Sequence, residues 1–379
     1  MKAGLLGRKL GHSLSPQIHG FFGDYEYRLY EREPEDVAEF VRGAGLDLLN
    51  VTIPYKKAAA ELCDELTPLA ERLGNVNLVT RLPDGRLRGD NTDYFGFACL
   101  LDSACEAAGL GVPAKAAVLG SGGAATTAKT VLEDRGADVA FVRRGELPAQ
   151  DAELIVNATP VGMFPDVDGR RVDIAEFPAC RMVLDLVYNP SPTRLVAEAK
   201  ACGKAAADGM VMLIAQAYRA FLLAGGEVAG NIYLYGPPAS GKSTWAKRVA
   251  AATGLGLVDL DAEIVREAGR PIADIFASAG ESAFRRLEKD VLSRVAGRPR
   301  QVVALGGGAL LDGESRRLAE ATGRVVLLEC GEDELLRRAS LSRERPLLAG
   351  DAAERLRALL SARREHYASF RRVAASGAH

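Results

Sequence analysis

The segment GNIYLYGPPASGKSTWAKRVAAATG, residues 230–254, decides the fold of the second part of this 379-residue chain. The apolar stretch Ile232–Tyr235 predicts a buried strand, and the next residues, Gly236–Ser243, match the pattern G-x-x-x-x-G-K-[ST], with Thr244 following. In such a loop, glycines allow backbone N–H groups to surround phosphate oxygens at the start of a helix. The segment therefore predicts a strand, a phosphate-binding loop and a helix, in that order.

The side chains of this loop indicate a nucleoside triphosphate. Lys242 can reach the β- and γ-phosphates, and the hydroxyl of Ser243 can ligate Mg²⁺. The alternative, a chance match in a glycine-rich turn, is disfavoured by the strand before the loop and the amphipathic helix after it. The residues predicted to bind ATP here are Gly236, Ala239, Ser240, Gly241, Lys242, Ser243 and Thr244.

Two further units of strand, glycine and helix precede this one. KAGLLG, residues 2–7, is an apolar run ending in a glycine, and residues 114–136 carry the strand Ala116–Leu119 followed by glycines and a helix rich in Ala and Thr. Alternation of strands and helices predicts parallel α/β sheets, with ligands bound at the carboxyl ends of the strands. The Gly/Ala-rich stretch Leu223–Asn231 follows a helical pattern over Met210–Leu223 and is the predicted domain boundary.

The glycines after Leu119 predict a dinucleotide site of the Rossmann type. Their spacing, G-x-G-G-x, is weak evidence alone. About 20 residues further on, where an acidic residue would favour NAD, the chain has Arg143 and Arg144, which suit the 2′-phosphate of NADP. The alternative is that they are surface charges at a strand end. The predicted NADP-binding residues are Gly120, Ser121, Gly122, Gly123, Ala124, Arg143, Arg144 and Gly209.

Composition excludes several other classes. The formal net charge is −2, so no global basic field indicates nucleic acid or an anionic membrane. The 6 cysteines are scattered and there are only 4 histidines, which disfavours a Cys/His metal cage and fits a reducing compartment. No apolar run approaches the roughly 20 residues of a membrane helix. We predict a cytoplasmic protein that acts on small molecules, and the sequence leaves its oligomeric state open.

From about residue 231 the chain resembles the shikimate kinase family, through "GLVDLDAEIVREAG", "FRRLE", "VVALGGGALLD", "RERPLLAG" and "RREHY". The resemblance implies that Asp261 binds the acceptor hydroxyls and takes their proton, and that Asp259 lies near Mg²⁺. It implies further that Arg285 and Arg363 hold the shikimate carboxylate and that the backbone of Gly307 contacts the substrate. Arg345 is implied to reach the phosphates from a lid. Arginine suits a small carboxylate because its planar fork binds both oxygens.

Two features of this kinase part depart from the family. Ala239 stands where another glycine is usual in the loop, and the chain has few residues after Tyr367, where the family has a further strand, an adenine segment and a helix. We therefore expect a kinase domain that is short at its C-terminus. A module that binds ATP or shikimate without turnover is the alternative.

Residues 1–229 resemble shikimate dehydrogenases through "GHSLSPQIHG", "NVTIPYKKA", "GNVNLVT", "GDNTDYFGF", "NATPVGM", "DLVYNPSPT" and "DGMVMLIAQA", in the family's order. The resemblance implies that Lys56 and Asp93 are the catalytic pair. The implied substrate-binding residues are Ser13, Ser15, Thr52, Asn77, Asp93, Tyr188 and Gln216. After Arg144 the chain is shorter than is usual in the family.

The combined prediction is an α/β protein of two enzymes. Residues 1–229 form a two-lobed dehydrogenase, with a substrate lobe at about 1–96 and 207–229 and an NADP lobe at about 97–206, and residues 230–379 form a P-loop kinase domain with a parallel sheet. The first would reduce 3-dehydroshikimate with NADPH, and the second would phosphorylate the 3-hydroxyl of shikimate with ATP and Mg²⁺. The alternative is a quinate/shikimate dehydrogenase fused to a non-catalytic kinase-like module.

Overall fold

The computed structural model describes residues 1–340 and 352–374, and Arg345 lies outside these ranges. The chain divides into two compact units: the first contains most of residues 1–226, and the second contains most of the chain from Glu227 onward. No helix in the described ranges is both long and apolar enough to cross a membrane.

The first unit begins with a mixed sheet. Its strands are β1 (Lys2–Gly7), β2 (Glu26–Glu31), β3 (Leu48–Val51), β4 (Glu65–Leu66), β5 (Leu78–Arg81) and β6 (Leu87–Asp90), in the order β2-β1-β3-β5-β6-β4. β5 runs antiparallel to both β3 and β6. The expectation of parallel sheets is therefore wrong at this edge, because the short turn at 82–86, with Gly85 at φ 90°, folds β6 directly back on β5.

The helices that accompany this sheet are α1 (Ser15–His19), α2 (Val37–Gly43), α3 (Lys56–Leu62), α4 (Pro68–Leu73), α5 (Asp93–Ala108) and α8 (Met210–Leu223), with a 3₁₀ turn at Pro34–Asp36. The short helices cover the sheet, and one of the two longer helices, α8, packs on it, whereas the other, α5, packs on α8 and on the core of the second lobe. α8 begins and ends at the residues that its apolar pattern predicts. Its Ala220 packs in a buried cluster with Ala3, Leu48 and Leu78.

The second lobe of this unit is a five-stranded parallel sheet. Its elements are β7 (Lys115–Leu119), α6 (Gly123–Asp134), β8 (Asp138–Val142), β9 (Leu154–Asn157), a 3₁₀ turn (Ile174–Glu176), β10 (Met182–Asp185), α7 (Arg194–Ala201) and β11 (Ala205–Asp208). The strand order is β11-β10-β9-β7-β8. The direction of the connections reverses at β7, so the glycine loop after β7 lies at the crevice where such sheets bind ligands.

The second unit is a parallel sheet with helices around it. Its elements are β12 (Asn231–Tyr235), α9 (Lys242–Thr253), β13 (Gly256–Asp259), α10 (Leu260–Ala268), α11 (Ile272–Ala296), β14 (Gln301–Ala304), α12 (Gly313–Thr322), β15 (Gly323–Glu329), α13 (Glu332–Ser340), α14 (Ala352–Ala368) and β16 (Arg372–Ala374). The order β13-β14-β12-β15-β16 places β12 at the centre. The residues of β12 are all buried, as expected for a strand covered on both faces.

Candidate active sites

The predicted catalytic pair is in direct contact. Lys56 is the first residue of α3, Asp93 is the first residue of α5, and Lys56 Nζ donates to Asp93 Oδ2 across 2.5 Å. The side chains are only 17% and 10% exposed, so the ion pair is weakly screened by solvent. The lysine is therefore held as a hydrogen-bond donor beside a fixed carboxylate.

Asn77 holds the other oxygen of the carboxylate. Its Nδ2 donates to Asp93 Oδ1 at 2.8 Å, and its Oδ1 accepts from the backbone N–H of Thr92 at 2.6 Å. The Thr92 hydroxyl lies 3.5 Å from Gln216 Oε1, which brings α8 to the same place. Four predicted residues, Lys56, Asn77, Asp93 and Gln216, thus converge on one polar cluster.

The two predicted serines form a tight turn at the start of α1. Ser13 Oγ donates to Ser15 Oγ at 3.1 Å and accepts from the backbone N–H of Ser15 at 3.2 Å. Burial raises the pKa of Tyr27 well above its usual value, with Tyr188 raising the pKa further and a hydrogen bond to Ser15 lowering it. Ser15 and Tyr188 therefore lie near the same buried tyrosine.

Thr52 directly follows β3, and its backbone N–H donates to Leu6 O at 2.9 Å. A Cβ on Gly7 would lie 2.8 Å from Thr52 Cγ2, so the glycine makes room for the threonine. Thr52 therefore lies beside the end of β1, since β1 and β3 are paired, and the loop that follows β1 leads to the serine turn.

A buried polar network supports this pocket and was missed from the sequence. The His19 ring stacks on Tyr27 with centroids 4.0 Å apart, and His19 Nδ1 lies 2.5 Å from the hydroxyl of Tyr25. Tyr27 donates to Asn50 Oδ1 at 2.9 Å. Burial lowers the pKa of His19 to about 3, so the ring is neutral. The available signal was Asn50, a polar residue inside the apolar strand LLNV.

The glycine loop of the second lobe fits a dinucleotide pyrophosphate. Gly122 caps α6 and Gly123 is its first residue. Gly120 has φ 116°, and a Cβ there would lie 3.1 Å from Ala158 O, so only glycine suits this turn. A Cβ on Gly122 would have no neighbour within 4 Å, which leaves the helix N-terminus open to a ligand. Ser121 is exposed in the loop, whereas Ala124 is half-buried in α6.

The remaining predicted NADP residues lie at two different places. Arg143 and Arg144 are exposed directly after β8. Gly209 precedes α8, and a Cβ on it would lie 2.3 Å from Leu186 O. Close backbone packing explains this glycine, so its contact with the cofactor stays a prediction.

The second unit contains a cavity of about 680 Å³ at the carboxyl ends of its strands. One end is lined by the phosphate loop and the other by a cluster of charged and aromatic side chains. The predicted residues that line it are Ala239, Gly241, Lys242, Ser243, Thr244, Asp259, Asp261, Arg285, Gly307 and Arg363. Gly236 and Ser240 are buried in the same loop, and Ser240 Oγ has no partner among the described residues.

The end of the cavity at the phosphate loop has an N–H donor suited to a triphosphate and oxygen ligands suited to Mg²⁺. Lys242 Nζ donates to the carbonyl oxygens of Gly236 and Pro237, each at 2.8 Å. The Ser243 hydroxyl donates to Asp259 Oδ2 at 2.7 Å, so two oxygen ligands lie side by side. No group of three or more His, Cys, Asp and Glu side chains suited to a metal exists in the described part of the chain.

The other end of the cavity, where the acceptor is expected to bind, contains the two predicted arginines. It also contains an acidic residue that the sequence analysis did not identify. Arg363 Nη1 donates to Gly307 O at 2.9 Å, and the Tyr367 hydroxyl donates to the same oxygen at 2.8 Å. Arg285 Nη1 donates to Glu288 Oε2 at 2.6 Å. Glu288 is 3% exposed, and its Oε1 has no partner in the described ranges. Burial raises the pKa of Glu288, and Asp261 raises it further.

Glu288 could have been found by its spacing. It follows Arg285 by three positions, the distance at which helical side chains meet. The aromatic wall of the cavity, Phe276 and Phe284, was also missed, because apolar residues on a helix usually indicate only a core.

The folds and sites together define a two-lobed dehydrogenase of the Rossmann type joined to a P-loop phosphotransferase fold. The family model for the shikimate dehydrogenase substrate binding domain matches residues 5–79, and the model for shikimate kinase matches residues 238–378. The shikimate dehydrogenase (NADP(+)) of Methanopyrus kandleri is 37% identical over 265 residues, which are 60% of this chain and 90% of that protein. The chain belongs to the shikimate dehydrogenase family, and its C-terminal part contains a shikimate kinase domain.

Solved structures agree with the assignment of the dehydrogenase part. The shikimate 5-dehydrogenase of Thermus thermophilus, in complex with NADP(H) and shikimate, matches with a TM-score of 0.52 and 33% identity, over 59% of this chain and 93% of that one. The quinate dehydrogenase of Corynebacterium glutamicum, in complex with NAD, matches with a TM-score of 0.52 and 28% identity, over 59% and 93%.

Proposed function

We propose that this chain catalyses two consecutive reactions: reduction of 3-dehydroshikimate to shikimate with NADPH, then phosphorylation of the shikimate 3-hydroxyl with ATP and Mg²⁺. The observation that carries the proposal is the contact between Lys56 and Asp93 beside Asn77 and Gln216. The cavity of the second unit, with a phosphate loop at one end and arginines at the other, supports the second reaction.

The reduction requires a hydride, which NADPH supplies when bound, and a proton. Lys56 donates the proton to the developing alkoxide and stabilises its charge before transfer. Asp93 holds the ammonium group through Oδ2, while Asn77 fixes the carboxylate through Oδ1. Ser13, Ser15, Thr52, Tyr188 and Gln216 bind the carboxylate and hydroxyls of the substrate. Relatives named shikimate dehydrogenase (NADP(+)) support NADP as cofactor, and so do Arg143 and Arg144, which have no ion-pair partner among the described residues.

The phosphorylation is mainly a matter of positioning and charge neutralisation. ATP supplies the phosphoryl group, held by residues 236–244. Ser243 and Asp259 ligate Mg²⁺, and Lys242 neutralises the phosphate charge. Asp261 accepts the proton of the attacking hydroxyl, and Arg285 and Arg363 bind the substrate carboxylate. Arg345 belongs to this proposal as the arginine that reaches the phosphates.

We also place the boundary between the two domains at residues 229 and 230.

The second candidate for the first unit is a dehydrogenase that oxidises quinate with NAD. It is favoured by the similarity to a quinate dehydrogenase solved with NAD. Arg143 and Arg144 disfavour it, because an acidic residue at this position suits the ribose 2′-hydroxyl of NAD.

The test is a matrix of steady-state assays on the full chain. Shikimate and quinate are each oxidised with NADP⁺ and NAD⁺, and shikimate-dependent ADP release is measured separately. The Lys56→Met variant should lose only the dehydrogenase reaction, and Lys242→Met only ADP release. A preference for NAD⁺ and quinate would contradict the first assignment. ATP binding without shikimate-dependent ADP release would identify the second unit as a non-catalytic module.

A further inference from the structure

Three arginines lie at the edge of the second lobe where β8 ends. Arg143 and Arg144 follow β8 directly, and Arg171 comes from the loop between β9 and β10. Arg171 Nη2 donates to the backbone carbonyl oxygen of Arg143 at 2.9 Å. This hydrogen bond brings a third guanidinium group to the two that the sequence places there.

These guanidinium groups have no counter-ion in the described part of the chain. Within residues 1–340 and 352–374, no carboxylate oxygen lies within 4.0 Å of a guanidinium nitrogen of any of the three. The nearby Glu146 accepts from the backbone N–H of Arg143 at 2.8 Å instead. Arg170, the residue beside Arg171, differs: it pairs with Asp173 at 2.6 Å and with Glu198 at 3.8 Å. Unpaired cations gathered at one point favour an anionic ligand.

Arg171 is also held in place. Its side chain is half-buried, and its Nε is enclosed with no partner among the described residues. The next residue, Val172, is buried in the core of this lobe and anchors the backbone. A guanidinium held on a carbonyl oxygen loses less conformational entropy on binding an anion than a free surface arginine does.

The local topology explains why a third arginine comes from this loop. β8 ends at Val142 and β9 begins at Leu154, with no helix between them. No helical side chain from that connection can therefore face Arg143 and Arg144. The loop before β10 supplies the missing cation.

We propose that Arg171 forms the 2′-phosphate subsite of NADP together with Arg143 and Arg144, and that it determines preference for NADP over NAD. A phosphate monoester carries up to two negative charges and accepts bidentate guanidinium bonds, whereas the 2′-hydroxyl of NAD offers neither. The inference rests on the proposed dehydrogenase function.

The test compares Arg171→Gln and Arg171→Lys with the ion-paired neighbour variant Arg170→Gln, all in the full chain. Arg171→Gln should raise KM for NADPH about tenfold, leave kcat within about twofold and leave KM for NADH unchanged. Arg171→Lys keeps the positive charge but loses the bidentate geometry of the guanidinium, so it should raise KM for NADPH by a smaller factor. If Arg171→Gln does not fold, this lysine variant tests the proposal instead. Arg170→Gln should behave as the unmodified chain.

Inhibition by small fragments separates a binding role from a structural one. The inhibition constant of 2′-AMP should rise about tenfold in Arg171→Gln, while that of 5′-AMP stays unchanged. Equal losses for NADPH and NADH, or equal effects of the Arg170 and Arg171 variants, would overturn the inference. An unmodified chain that does not prefer NADPH would instead contradict the proposed function itself.

Discussion

Lys56 Nζ lies 2.5 Å from Asp93 Oδ2, although the two residues are 37 positions apart and begin different helices. Each helix starts at the carboxyl-end loop of a strand in the first sheet, so the topology brings the two side chains together. This contact links the fold to proton transfer, because it keeps the amino group of Lys56 oriented in a partly buried site.

Replacing Lys56 should remove the proton donor with little effect on substrate binding. We expect Lys56→Met to lower kcat for shikimate oxidation by about 10²–10⁴-fold with KM changed only slightly. The neighbouring Lys57 is exposed in the same helix, so Lys57→Met is the matched control. Steady-state kinetics check this, and an unchanged kcat in Lys56→Met would remove the lysine from the reaction.

Arg363 should act on shikimate binding in the kinase domain. Arg363→Lys keeps the charge but loses the bidentate fork and weakens the contact with Gly307 O, so we expect KM for shikimate to rise about tenfold or more. Arg364 is exposed on the same helix, and Arg364→Lys should have no effect. The readout is ADP release as a function of shikimate concentration. A change in KM for ATP alone would contradict the assignment.

Ala239 is strained in the phosphate loop. Its φ is 66°, in the region that favours glycine, and its side chain packs only partly against Leu335 and Leu356. Because the backbone cost of about 1 kcal/mol or more exceeds the loss of one half-buried methyl group, Ala239→Gly should stabilise the kinase domain by about 0.5–1 kcal/mol.

The opposite substitution serves as its control. Gly254 caps α9 at φ 69° with open space around its Cβ position, so Gly254→Ala should destabilise by about 1 kcal/mol. Thermal unfolding of the full chain checks both predictions. The midpoint is taken from the transition that Gly254→Ala lowers. A fall in that midpoint for Ala239→Gly would show that packing outweighs strain.

Asp185 should make the first unit less stable as pH rises. It is 1% exposed at the end of β10, and burial raises the pKa of its carboxyl group from 3.8 to about 6. The folded state therefore binds the proton more tightly than the unfolded state. Its contribution to stability is complete below pH 3.8 and is lost as pH rises through about 6, by about 3 kcal/mol in total.

The Asp185→Asn variant isolates this effect. The difference in unfolding free energy between the unmodified chain and this variant should shift by about 3 kcal/mol between about pH 3.5 and about pH 7.5, in favour of the variant at the higher pH. Asp138 is exposed, and Asp138→Asn should show no such shift. Denaturant unfolding at several pH values measures this difference. If the unfolding free energies of the unmodified chain and of Asp185→Asn changed in parallel with pH, the prediction would be refuted.

Local patterns predicted much of the fold and site. The strand Ile232–Tyr235, the helix Met210–Leu223 and the loop around Lys242 each carry their signal within a few adjacent residues. Periodicity and glycine placement depend on the chain near each position, so the sequence alone was enough. Lys56 and Asp93 were predicted as a pair because the resemblance to shikimate dehydrogenases implies it, and the structure brings them into contact.

Contacts between distant elements could not be predicted. His19 on α1 stacks on Tyr27 on β2, and no local pattern in the sequence indicated that contact. The antiparallel β5 was missed because the alternation of strands and helices does not specify the direction of an individual strand. Arg171 joins Arg143 only through a loop whose path the sequence does not reveal.

The central claim, two consecutive reactions in one chain, is tested most directly by a mass-resolved time course. The full chain is given 3-dehydroshikimate, NADPH, ATP and Mg²⁺, with the Lys242→Met variant run in parallel. We predict that shikimate forms first and is then converted to its phosphate, whereas the variant accumulates shikimate only. Accumulation of shikimate without its phosphate in the unmodified chain, or formation of neither product, would contradict the account.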